Sequence, residues 1–119
     1  MIGWVDIPVV EMTRAISFYE KMLACTLTSM DLANGLQMAM IPGEGGTPFG
    51  ALVYAPDTYQ AGTEGPLVYI RVSESLEEVV GRIPAEQVIL PKVQISEQMG
   101  YRIVLADSEG NRIALLGPA

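Results

Sequence analysis

Two stretches decide how this chain is read: Trp4-Val5-Asp6-Ile7-Pro8-Val9-Val10-Glu11 and Leu67-Val68-Tyr69-Ile70-Arg71-Val72-Ser73-Glu74. Each alternates along its length with a period of two, the pattern of a half-buried strand. At a constant offset of 63 residues, Val5, Ile7, Val9 and Glu11 fall on Val68, Ile70, Val72 and Glu74. The same offset carries Ala51-Leu52 onto Ala114-Leu115 and Val53 onto Leu116. An opening strand and a closing strand that keep one register imply a duplicated unit.

The residues between them fill in that unit. Met12, Ala15, Ile16, Tyr19, Met22 and Leu23 recur at three- and four-residue spacing, one apolar helical stripe. Glu11 and Thr13 both offer a cap for its N-terminus. Strands are expected over 25–30, 36–41 and 49–55, divided by Ala33-Asn34-Gly35 and by the glycine-rich loop 42–48. Residues 56–66 read as a linker. After it come a strand over 67–72, a shorter helical stripe (Leu76, Val79, Val80, Ile83) and strands over 88–90, 101–106 and 112–116. Asp107 to Asn111 supplies the turn between the last two. The expected class is α+β, with two tandem βαβββ modules (about 1–56 and 65–119) forming a single domain, a curved mixed sheet around a cup.

Composition bounds the chemistry. The chain has 119 residues, one domain's worth, with 7 Lys+Arg against 14 Asp+Glu and a net charge of -7. That balance argues against nucleic acid or a membrane surface as partner, since both attract clustered cations. There is no histidine. The commonest metal ligand is therefore missing, and serine-histidine and cysteine-histidine nucleophile pairs are excluded. The single Cys25 cannot close an intramolecular disulfide and reads as a small buried hydrophobe. With no leader-like start and no apolar run near the ~18 residues of a spanning helix, a cytoplasmic setting is expected.

The segment Val9-Val10-Glu11-Met12-Thr13-Arg14-Ala15-Ile16-Ser17-Phe18-Tyr19-Glu20 resembles the first-helix signature of the vicinal oxygen chelate superfamily. That group includes glyoxalase I, bleomycin-resistance proteins and extradiol dioxygenases. The signature is an acidic residue followed by Arg-Ala and then Phe-Tyr. The segment Asp107-Ser108-Glu109-Gly110-Asn111-Arg112-Ile113 is similar to the superfamily's closing turn. Gly65 to Val72 and Leu90-Pro91-Lys92 are similar to its predicted glyoxalase-related branch. The resemblance spans essentially the whole chain.

Metal enzymes of the superfamily take ligands from the first and last strands of each module. The resemblance carries those positions to Trp4, Ala51, Leu67 and Ala114. None has a donor side chain, so the expected site holds no metal and no cofactor. The cup is instead expected to be lined by Trp4, Asp6, Ala51, Val53, Leu67, Tyr69, Arg71, Ala114 and Leu116, a setting for a small, partly aromatic molecule. Asp6 and Arg71 are read either as ligand-recognising groups or as an ion pair between facing strands.

Three functions follow. The first is metal-independent binding or sequestration of such a molecule, in the manner of the bleomycin-resistance branch. The second is a glyoxalase-like lyase or dioxygenase activity, and the third a metal-free enzyme using Asp6, Tyr69 or Arg71. No catalytic residue is assigned. A homodimer is expected, because paired modules are readily shared between two copies of a chain.

Overall fold

A computed structural model describes residues 1–119. The first unit is β1 (Val5–Pro8), α1 (Met12–Leu23), β2 (Thr28–Asp31), β3 (Gln37–Pro42) and β4 (Pro48–Tyr54). The second is β5 (Val68–Arg71), α2 (Leu76–Val80), β6 (Val88–Ser96), β7 (Gly100–Ala106) and β8 (Arg112–Gly117). Single 3-10 turns precede β3, β4 and β6. The strands form two four-stranded mixed sheets, ordered β1-β4-β3-β2 and β5-β8-β7-β6. The architecture is α+β, with the βαβββ sequence of elements occurring twice.

The 63-residue register holds between the two sheets. β1 lies parallel to β4 with Val5, Asp6, Ile7 and Pro8 opposite Gly50, Ala51, Leu52 and Val53. In the second sheet Val68, Tyr69, Ile70 and Arg71 lie opposite Ile113, Ala114, Leu115 and Leu116. The third strands drift by one: Met38 faces Val53, whereas Arg102 faces Leu116.

One face of each sheet packs under the helices. Ile7, Ala39, Ile41 and Leu52 from the first sheet share a core with Ile70, Ile103, Leu105, Ile113 and Leu115 from the second. Ala15, Tyr19 and Met22 of α1, with Leu76 and Val79 of α2, complete it. Fully burying each large side chain contributes roughly 1.5–3 kcal/mol, so this joint core holds the two units together. No helix is long and apolar enough to cross a membrane.

Three elements depart from the sequence reading. The strand expected over 25–30 begins at Thr28. Ala24 ends α1 in a left-handed conformation (φ 51°), Cys25 N–H bonds back to the Glu20 carbonyl, and Leu27 N–H donates to the Glu20 carboxylate. Residues 25–27 are thus tied to the helix end rather than to the sheet. β6 runs through Ser96 instead of stopping at Leu90. It is an edge strand, where proline is tolerated, and its pairing with β7 shifts register between Leu90 and Val93, around Pro91. α2 stops at Val80, and the buried Ile83 reaches the core through a tighter turn, with Ile83 N–H bonded to the Val80 carbonyl. Of the two caps considered for α1, Glu11 holds the position: its carboxylate accepts from Thr13 and Arg14 N–H.

Candidate functional site

The faces of the two sheets turned away from the helices carry the residues of interest. On the first sheet one rung reads Asp6-Ala51-Met40 and the next Pro8-Val53-Met38. On the second the matching rungs read Tyr69-Ala114-Val104 and Arg71-Leu116-Arg102. Ala51, Val53, Ala114 and Leu116 are buried along the central strands β4 and β8, outside the core beneath the helices. They form an apolar floor. Trp4 and Tyr69 stand beside it, 41% and 46% exposed. Leu67, just before β5, is half-buried.

Asp6 is engaged within its own unit. Its carboxylate accepts from the Trp4 indole (Nε1 to Oδ1, 2.9 Å) and from the Tyr59 hydroxyl (Oη to Oδ2, 3.1 Å). The hydrogen bond to Asp6, and then the carboxylate charge itself, push the Tyr59 phenol up. Tyr59 lies in the linker and was not singled out by the sequence. Asp6 and Arg71 do not meet: the two ion pairs of the chain are Arg14–Glu109 and Arg82–Glu74.

One groove, of about 550 Å³, lies where β5 faces the β3–β4 loop. Of the nine expected lining residues it takes Tyr69 and Arg71, and it adds Cys25, Phe49 and Glu74. A second groove of about 250 Å³ takes Asp6 and, from the other unit, Arg112. Trp4, Ala51, Val53, Leu67, Ala114 and Leu116 border neither; the single chain does not gather all nine residues around one cavity.

The two sequence signatures meet each other across the seam between units. The Glu109 carboxylate accepts from Val10 N–H (2.8 Å), Glu11 N–H (2.7 Å), both Nε and Nη2 of Arg14 (2.8 and 3.0 Å), and the Ser108 hydroxyl. Burial pushes this carboxyl up, but those donors together outweigh it and hold its pKa at about 2. The Tyr19 hydroxyl donates to Asp107 at 2.6 Å, and burial followed by the Asp107 charge drives the phenol far above its ordinary range. Asp107 also accepts from Glu109 and Asn111 N–H, while the Asn111 amide donates to the Pro8 carbonyl. Gly110 takes the positive φ (89°) that this tight turn requires. These residues dock one unit on the other, a structural task.

The residues at the inferred metal positions do not fit a metal. Ala51 and Ala114 sit at mid-sheet with no donor, and the side chains directly opposite them are Asp6 and Tyr69. One carboxylate, already bonded to two donors, and one phenol do not make the donor set that a divalent ion takes.

No protein-family model matches this sequence, and no curated protein does. Solved structures do match its fold. An antibiotic-binding protein from a Streptomyces species aligns with TM-score 0.67 at 18% identity, covering 100% of this chain and 96% of that one. The trypanothione-dependent glyoxalase I of Leishmania major aligns at 0.65 and 20% identity, covering 98% and 86%. A fosfomycin resistance protein of Listeria monocytogenes aligns at 0.65 and 14% identity, covering 97% and 90%. The fold is that of the glyoxalase and bleomycin-resistance proteins, a scaffold that carries both binders and enzymes.

Proposed function

We propose that this protein binds or sequesters a small, partly aromatic molecule, without metal, against the helix-free faces of its two sheets. The observation that carries this reading is the pair of half-exposed rings on these apolar faces, Trp4 and Tyr69, the second lining the groove of about 550 Å³. Amphipathic rings exposed at the edge of an apolar sheet face suit a flat ligand with one polar end. The antibiotic-binding neighbour of the same fold supports binding over turnover as the default.

Each sheet offers half of a cup, and the reading includes a homodimer in which a second copy supplies the other half. The outer strand β6 supports this: Ile89, Leu90, Val93 and Ile95 are all exposed, as is Met99 in the hairpin beyond it. A long apolar edge strand left bare invites pairing with another chain.

Trp4 is the only tryptophan, so its fluorescence reports on the site directly. Titration with a panel of planar aromatic compounds, antibiotics among them, is expected to shift or quench Trp4 emission saturably, with a matching rise in thermal midpoint. Light scattering is expected to give twice the 12.8 kDa chain mass. A panel that leaves both emission and thermal midpoint unchanged at millimolar concentration overturns the binding reading; a monomer at micromolar protein overturns the dimer.

A further inference from the structure

We infer that Arg71 and Arg102 form a receptor for the carboxylate of an aromatic or otherwise planar apolar acid. The inference rests on the binding reading above and names the chemical class of the ligand.

The register puts the two arginines on the same sheet face, one on either side of Leu116. Their Cα atoms are two strand spacings apart, about 9–10 Å, so two long stems can bring their guanidinium groups over one small anion. Neither has a carboxylate partner, although the chain carries 14 acidic residues. Both other arginines that sit outside this face, Arg14 and Arg82, are paired with glutamates. Arg102 Nε is cut off from solvent and has no hydrogen-bond partner. A stranded buried donor is destabilising, and an arriving oxyanion relieves that cost once the stem turns toward it.

The duplication supplies a second, independent argument. The rung matching Arg71-Leu116-Arg102 in the first unit is Pro8-Val53-Met38, with no charge at all. A sheet face that stays apolar in one copy needs no cations for folding in the other. The neighbouring rung, Tyr69-Ala114-Val104, is flat and apolar apart from one phenol. Tyr69 is the member of that rung open to solvent, and an aromatic ring stacked on it directs an attached carboxylate toward the Arg71 and Arg102 guanidinium groups. Arginine suits this task because its planar fork matches both oxygens of a carboxylate. Arg112, whose Nε is also buried without a partner, faces the same side two rungs further along and adds to the positive potential.

The test is calorimetric titration of the full-length protein with 2-naphthoate, its neutral analogue 2-naphthamide and inorganic phosphate, repeated on Arg71→Gln and Arg102→Gln. The expected result is at least tenfold tighter binding of naphthoate than of naphthamide in the parent protein. Either substitution is expected to erase that preference while leaving the circular dichroism spectrum unchanged. Phosphate is expected to bind more weakly than naphthoate, since it lacks the ring. Equal affinity for naphthoate and naphthamide overturns the carboxylate receptor and leaves the apolar site standing. Phosphate binding as tightly as naphthoate overturns it in favour of a plain anion site. If neither naphthyl compound binds, the binding reading fails and the receptor with it. If the substitutions dissociate a dimer without changing naphthoate affinity, the arginines serve the partner copy and the inference is overturned.

Discussion

Replacing Glu109 by Gln tests what holds the two units together. The carboxylate is completely shielded, with a side-chain exposure of 0%, while its partner Arg14 is 51% exposed. Glu109 accepts from two backbone amides, from Nε and Nη2 of Arg14 and from Ser108. A glutamine keeps one acceptor oxygen and turns an NH2 group toward donors that now have no acceptor. Each buried donor left unsatisfied costs about 1–3 kcal/mol. Arg14 is free to turn to water, which lowers its share. The expected loss is therefore about 3 kcal/mol, from a total stability on the order of 10 kcal/mol for a chain of this size. Urea denaturation followed by circular dichroism at pH 7 measures it directly, and the thermal midpoint is expected to fall by roughly 10 °C.

The pH dependence sharpens the same test. The Glu109 pKa lies at about 2, below its ordinary 4.5. A carboxyl with a depressed folded-state pKa stabilises fully above its unfolded value, and that contribution is lost as pH falls from 4.5 through about 2. The size of the depression corresponds to about 3 kcal/mol before screening through exposed Arg14 is allowed for. Glutamine has no such titration. The gap between parent and E109Q is thus expected to be widest at pH 7 and to close toward pH 2. A loss under about 1 kcal/mol at pH 7, or a gap that stays constant down to pH 2, would refute this account of the seam.

Two further substitutions probe the same architecture. Tyr19→Phe removes the 2.6 Å donor to buried Asp107 and is expected to cost about 1–3 kcal/mol in urea denaturation. It is also expected to abolish the latest phenolate step in an alkaline absorbance titration, because the Tyr19 phenol is the one driven furthest up by burial. Gly50→Ala would place a Cβ 2.4 Å from the Val5 carbonyl oxygen and 2.7 Å from Val5 Cγ1. The two strands must separate to admit it, and a loss of about 1–3 kcal/mol is expected, read as a lower thermal midpoint.

The duplicated topology was legible because strand pleat fixes side-chain direction. Once Val5, Ile7 and Val9 matched Val68, Ile70 and Val72, the pairing of both edge strands with β4 and β8 followed in a common register. The long β6 was hidden by Pro91, which signals a stop in a central strand but is tolerated at an edge. Arg102 escaped notice for a different reason. The offset of 63 sets it against Ala39, a core position, and only the one-residue drift in β7 turns it to the helix-free face. Linker residue Tyr59 reaches Asp6 across 53 positions, a contact no local pattern announces. Glu109, Asp107 and Tyr19 were visible as a resemblance. That they bond to one another, and so join the units, required the fold.

The seam makes the two halves complementary rather than self-sufficient. The Val10 and Glu11 amides at the threshold of α1 find their acceptor in Glu109, and the end of α1 receives the Arg82 guanidinium on the Lys21 and Met22 carbonyls. One helix is thus finished at both ends by side chains from beyond the linker. A polypeptide severed within 56–66 would yield two fragments that are poor folders alone, yet whose mutual affinity is already written into their interface. The two units share a topology and a register, differ in surface charge, and are joined by these capping bonds.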